Sequence, residues 1–205
     1  SKDVHLTTKY MLGDCPEDEI LNALSNSLDE SCARMGRDYI DVFVLHGFVI
    51  ADGWSDGRQA RILPVIAVPM SKYQNAVIPA FERLKASGRI GAWGVTAAST
   101  QNENLAVVGA TERPDVVQCI ANALDSSGSM ALIDETPGPR EVIAKAADAG
   151  IGVMGIRAVA AGSLTQAIDR EVHPKSAELK DFHRSAGFRA LAQSRGVSPA
   201  YLAHS

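Results

Sequence analysis

Tyr39-Ile40-Asp41-Val42-Phe43-Val44-Leu45-His46 is a near-continuous run of β-branched and aromatic residues, the pattern of a strand covered on both faces. It ends in His46. A shorter run upstream, Val4-His5-Leu6-Thr7-Thr8-Lys9, ends in Lys9. Between them, Asp14 to Gly36 reads as a helix. Pro16 suits its first turn, Glu17, Asp18 and Glu19 favour the positive end of its dipole, and Gly36 stops it. Leu21, Leu24, Leu28 and Met35 share one face of that helix. The three segments form a β-α-β unit. In a parallel α/β barrel the site lies at the carboxyl ends of the strands, so Lys9 and His46 are expected to face one mouth, where both suit chemistry at a carbonyl.

The rhythm continues downstream. Residues 47 to 75 form a long connection, with Gly47, Gly53 and Gly57 in a polar first part and an apolar, proline-punctuated second part; connections of this length carry sites or lids. Phe48 and Trp54 in it read equally as a pocket wall or as a local anchor. A helix is predicted over 76–86, a strand over 90–95, a short helix over 104–109, a strand over 116–121, a helix over 140–149 and a strand over 151–156. One helical pattern covers 176–195, and Ser198-Pro199 starts another. Trp93 reads as core or barrel wall.

Strict alternation of strands and helices indicates a parallel sheet with helices packed on it. A doubly wound nucleotide-binding sheet is the competitor, but no G-x-G-x-x-G or G-x-x-x-x-G-K-[ST] follows any strand. The expected fold is therefore α/β, a TIM-type (β/α)8 barrel, here partial with about five β/α units, and residues 1–205 are read as one domain.

A chain of 205 residues removes roughly 70% of its unfolded surface from water, enough for a substantial core. The formal charge of −4, without a block of Lys or Arg, argues against nucleic acid or an acidic membrane as partner, and points to a small-molecule ligand. Cys15, Cys32 and Cys119 are odd in number and lack ligand spacing, so neither a disulfide framework nor a metal site is expected and a reducing cytoplasm fits. No apolar run of about 18 residues and no signal-peptide pattern is present.

Several stretches in fixed order carry a resemblance: Leu6-Thr7-Thr8-Lys9; Ser27-Leu28 and Arg34-Met35-Gly36-Arg37-Asp38-Tyr39-Ile40-Asp41 leading to Leu45-His46; Leu84-Lys85-Ala86-Ser87-Gly88-Arg89-Ile90; and Trp93-Gly94-Val95-Thr96. Val116-Val117-Gln118, Asn122, Gly150-Ile151-Gly152-Val153-Met154 and Ala161-Gly162-Ser163-Leu164-Thr165 complete it. Together they resemble the aldo-keto reductases over almost the whole chain. The resemblance implies a (β/α)8 barrel that binds NADPH, less often NADH, and transfers hydride between that cofactor and an aldehyde, ketone or alcohol without a metal.

The family's catalytic set is an Asp, a Tyr, a Lys and a His. Lys9 and His46 match the last two. The Asp and Tyr would fall upstream of Ser1, and the eighth strand with its helix after Ser205, so the chain is expected to be truncated at both ends and inactive alone. Lys9 would lower the pKa of the phenol that relays the proton; His46 would polarise and orient the substrate oxygen. Asp41 would support the barrel or a neighbouring lysine.

Carried over by position, Thr96 stands for a family Ser at the nicotinamide carboxamide, Ala97 replaces the usual Asn, and Gln118 matches the glutamine that bonds that carboxamide. Ile156 replaces a stacking aromatic. Arg157 has two readings, a pyrophosphate contact or a neighbouring carboxylate's partner. Gly162 and Leu164 would offer backbone amides to the diphosphate. Losing the Asn and the aromatic keeps a second class open, a non-catalytic nucleotide-binding or scaffold protein on a shortened barrel. A lyase using Lys9 as a Schiff base is a third, which leaves the His46, Gln118 and Gly162 segments unexplained.

Overall fold

The computed structural model describes residues 4–55, 61–131 and 138–205; Gly57 lies outside them. Strand β1 is Thr7–Tyr10, so it begins later than the sequence reading and runs one residue past Lys9. A 3-10 turn, Glu17–Glu19, carries the acidic residues and leads into α1, Ile20–Met35, which Gly36 ends in the left-handed conformation at φ 61°. Strand β2 follows as Ile40–Leu45.

The long connection holds structure that periodicity did not reveal. Strands β3 (Phe48–Ile50) and β4 (Ala67–Pro69) pair in parallel as a separate ribbon, with α2 (Leu63–Ile66) before β4. Helix then begins at Met70 rather than near Ala76. It consists of α3 (Met70–Lys72), a π turn (Tyr73–Val77) and α4 (Ile78–Ala86). Pro79 explains the wide turn, because proline has no N–H and its ring collides with the carbonyl four residues back in a regular α-helix.

Strand β5 is Ile90–Ala97, α5 is Gln101–Gly109 and β6 is Val116–Ile120. Thr100 caps α5 three residues earlier than its apolar pattern suggests, its hydroxyl accepting from the Glu103 N–H at 3.5 Å. Helix α6 (Pro139–Asp148) and strand β7 (Gly152–Ile156) complete the alternation. The helical pattern over 176–195 is two helices, α7 (Ala177–Arg184) and α8 (Ala186–Ser194). They part at Ser185, whose hydroxyl lies within donating distance of the Ser163 and Phe182 carbonyls, at 2.7 and 2.9 Å. Ser198 caps α9, Pro199–His204.

The other strands form one parallel sheet in the order β1-β2-β5-β6-β7, the partial barrel of an α/β protein. Side chains alternate between its faces. Phe43 and Leu45, Trp93, Val95 and Ala97, and Val117 and Cys119 enter the core beneath the helices, with Leu24 and Leu28 of α1 and Phe81 of α4. Phe81 lies between Phe43 and Trp93, 5.4 Å from each ring, and the Trp93 indole donates to Glu82 at 2.6 Å. Asp41 accepts from the Leu6 N–H at 2.8 Å and from the His5 ring at 3.1 Å, which ties the approach to β1 to β2. Among the described residues no helix is long and apolar enough to cross a membrane.

Candidate active site

The face turned away from the helices carries the polar side chains. Register places Lys9, Val44, Gly94, Val116 and Gly152 on one level across the five strands. Gly94 is needed there, since a Cβ would lie 2.7 Å from the Val116 carbonyl oxygen. The next level toward the carboxyl ends is occupied by His46, Thr96, Gln118 and Met154.

These four side chains touch in sequence. His46 Nδ1 lies 3.4 Å from Thr96 Oγ1. Thr96 Oγ1 donates to Gln118 Oε1 at 3.4 Å, and Gln118 Nε2 donates to Met154 Sδ at 3.6 Å. The His46 backbone is held by its N–H donating to the Tyr10 carbonyl at 2.8 Å. Thr96 is buried, while His46, Gln118 and Met154 are half-buried. Burial, and then the positive charge of Lys9, hold the His46 imidazolium below its ordinary pKa, so the ring is neutral at neutral pH.

Lys9 shares the face with His46 but stands one level nearer the amino ends, exposed and without a hydrogen bond or ion pair among the described residues. Ala97 points the other way, buried at 7% exposure in the helix-side core, where an amide would be stranded among apolar groups. Ile156 is half-buried on the Met154 face, two residues on.

Beyond β7 the chain turns sharply. Arg157 has φ 60° and sits with Nη2 3.6 Å from Glu178 Oε1, while its Nε and Nη2 are buried without a hydrogen-bond partner. The Glu178 carboxyl is held below its usual range by a hydrogen bond from Ser129 and by Arg157. The amides expected to face a diphosphate close on the loop itself: those of Gly162 and Leu164 both donate to the Val159 carbonyl, at 3.0 and 3.1 Å, and that of Ser163 to Ala160. The Leu164 side chain is fully buried.

Phe48, Ile50, Ala67 and Ala98 form a small apolar cluster with Trp54, Leu63, Ile66 and Met130 packed on it. Ala98 follows Ala97 directly, so the cluster stands just past the end of β5, and Phe48 at 6% exposure anchors it. A cavity of about 640 Å³ lies apart from the polar level, lined by Asp125, Ser126, Lys180, Asp181 and Arg184; Asp181 accepts from Ser126 and pairs with Arg184, and Asp125 accepts from the Arg140 N–H. Met154 is the member of the polar level that sequence reasoning misses; its even parity with Gly152 and Ile156 along β7 is the signal that points to it.

A search of curated protein sequences returns no match. Among solved structures the chain is similar to aldo-keto reductase AKR11C1 from Bacillus halodurans in its holo form, at 20% identity and a TM-score of 0.54, over 85% of this chain and 46% of that one. It is also similar to aldo-keto reductase AKR2E5 of the silkworm, Bombyx mori, at 15% identity and a TM-score of 0.59, over 98% and 51%. A structure of AKR2E5 complexed with NADPH gives 15% identity and 0.58, over 99% and 51%. The chain thus spans about half the length of these structures. The sequence profile described as the aldo/keto reductase family matches residues 1–205, and with the parallel sheet and the strand-end polar level it establishes that this chain belongs to that family.

Proposed function

We propose that the whole protein is a nicotinamide-dependent oxidoreductase, interconverting an aldehyde or ketone and the corresponding alcohol, with NADPH as the preferred cofactor and NADH as the alternative. The carrying observation is the level His46–Thr96–Gln118, three polar side chains touching in a row, from just past the carboxyl end of β2 through the last residues of β5 to the middle of β6. The NADPH complex of the silkworm enzyme supports the choice of cofactor.

The residues fit the nicotinamide end of such a cofactor. Gln118 presents an amide whose present partners are one hydroxyl and one sulfur, both weak, so a carboxamide can replace them with stronger bonds. Thr96 would share in holding it. The diphosphate end is assigned to Arg157 and the loop through Gly162 and Leu164, which would have to exchange internal bonds for the ligand's. When bound, the cofactor supplies or accepts the hydride. His46 meets the reacting oxygen as a neutral imidazole anchored through its backbone and through Thr96. Lys9 adds positive charge on the same face, which lowers the cost of negative charge developing at that oxygen.

The test is a titration of NADPH into the 205-residue chain, followed by energy transfer from tryptophan, with Gln118→Ala beside it. Loss of one amide bond of about 0.5–1.5 kcal/mol weakens binding roughly 2- to 12-fold; unchanged affinity in the variant would sink the assignment. In the whole protein, His46→Ala lowers kcat with little effect on NADPH affinity. The alternative, a non-catalytic nucleotide-binding barrel, draws on Ala97 and Ile156, and is distinguished by NADPH binding to the whole protein without turnover of simple aldehydes or alcohols.

A further inference from the structure

Two residues past the end of β5 the chain buries a second set of polar groups. Ser99 is 2% exposed, and Asn104, near the start of α5, is buried as well. The Asn104 side chain grips Ser99 by its backbone from both sides: Oδ1 accepts from the Ser99 N–H at 3.2 Å and Nδ2 donates to the Ser99 carbonyl at 3.1 Å. Those two bonds together fix which way the amide faces. With its backbone held, Ser99 donates its hydroxyl proton to the Val49 carbonyl, 50 residues earlier in β3.

Among the described residues, β3 and β4 pair with each other and not with the main sheet, and the hydrogen bond that joins their ribbon to the end of β5 is the one from Ser99 to Val49. Val49 lies between Phe48 and Ile50, and Ala98 precedes Ser99, so members of the small apolar cluster flank the bond on both chains. Phe48 and Ile50 are buried in that cluster, whereas Trp54 and Met130 are half-buried and left for a ligand to meet. Phe48 follows His46 by two residues and Ser99 follows Thr96 by three, which sets the cluster beside the polar level.

We propose that Ser99, clamped by Asn104, is a positioning residue that holds the β3–β4 ribbon against the carboxyl end of β5, so that Trp54 and Met130 form an apolar wall beside the polar level and favour a substrate with an apolar body. The substrate half of this rests on the oxidoreductase reading; the holding of the ribbon does not. Ser99 makes no hydrogen bond to His46, Thr96 or Gln118 among the described residues, so its loss leaves their contacts in place. Without the hydroxyl, the ribbon is held to β5 by apolar packing, which is non-directional and resists sliding poorly.

The two indole N–H resonances of the nitrogen-15-labelled chain report the structural half, since Trp54 packs on the ribbon's cluster and Trp93 lies in the helix-side core. Ser99→Ala is expected to move or broaden the Trp54 signal and leave that of Trp93 in place. Asn104→Ala, which keeps the hydroxyl but frees the Ser99 backbone, should act in the same direction, so either variant that folds decides the matter. Kinetics of the whole protein with NADPH report the substrate half. For benzaldehyde, Ser99→Ala should raise KM roughly 2- to 12-fold, the worth of one hydrogen bond, while kcat, NADPH affinity and the KM for glycolaldehyde stay as they are.

A Trp54 signal unmoved in the folded variants overturns the positioning role. Equal rises in KM for the two aldehydes, or a fall in kcat and NADPH affinity alongside them, make Ser99 a general support of the fold and overturn the wall. Absent turnover of both aldehydes by the unaltered protein removes the oxidoreductase reading and the substrate half with it, while the Trp54 result still decides whether Ser99 holds the ribbon.

Discussion

Gly94→Ala tests the register on which the polar level depends. The new methyl would lie 2.7 Å from the Val116 carbonyl oxygen, about 0.7 Å inside the 3.4 Å at which ordinary contact begins. That oxygen belongs to the backbone of β6, so it yields only if β5 and β6 part. Overpacking of this kind costs about 1–3 kcal/mol, and with a urea m-value of about 2 kcal/mol/M a loss of about 2 kcal/mol lowers the midpoint by about 1 M. Thr96 and Gln118 lie two residues further along the same pair of strands, so their 3.4 Å contact lengthens and NADPH affinity falls with stability. Gly187 in α8 is the control: a Cβ there meets nothing within 4 Å, and alanine should raise stability by about 0.5–1 kcal/mol. Urea unfolding followed by tryptophan fluorescence reads both variants. A Gly94→Ala protein within about 0.5 kcal/mol of the unaltered chain would refute the placement of Val116 against Gly94.

Lys9→Met removes the positive charge that disfavours the imidazolium, so the His46 pKa rises toward the ordinary histidine value but stays below it, because burial is the larger cause; NMR titration of the ring protons checks this, and an unmoved pKa would separate the two residues. Asp41 is held below its ordinary pKa by the Leu6 N–H and by His5, so its contribution to stability is present above the unfolded carboxylate range and is lost as pH falls through the folded pKa. The gap between the urea midpoints of the unaltered chain and Asp41→Asn should therefore narrow in acid, and a constant gap would contradict it. The Tyr73 hydroxyl is buried without a hydrogen-bond partner among the described residues, and burial pushes its pKa up. Tyr73→Phe is expected to leave stability unchanged or raise it by about 1 kcal/mol, and a loss of that size would reveal a partner.

The alternation of strand and helix was legible because local chemistry and burial agree: β2 is apolar but for Asp41 and is paired on both edges, and Gly36 stops α1 where only a left-handed residue fits. The β3–β4 ribbon was not legible, because three-residue strands have no period to read. The start of helix at Met70 was hidden by Pro79, which sequence rules place at a helix beginning and which the π turn accommodates inside one. At the site, His46, Thr96 and Gln118 carry chemistry in their side chains and could be singled out one at a time. That Lys9 stands a level below His46 depends on β1 ending at Tyr10, a register fact that only pairing with β2 decides. Met154 is hidden, because methionine in a strand ordinarily means packing.

That last residue changes how the level works. His46 to Thr96 spans 50 residues of sequence, Thr96 to Gln118 spans 22 and Gln118 to Met154 spans 36, yet parallel pairing brings all four to one height. Each contact is long and weak alone, and their value lies in a shared polarity. Had the last position held a serine or an asparagine, the terminal group could donate as well as accept, and the amide of Gln118 could turn either way. A sulfur leaves one arrangement, in which the amide of Gln118 keeps its oxygen toward Thr96. A Met154→Gln substitution removes that restriction while leaving Thr96 and Gln118 in place, and a changed NADPH affinity would show that the orientation of the Gln118 amide matters at this level.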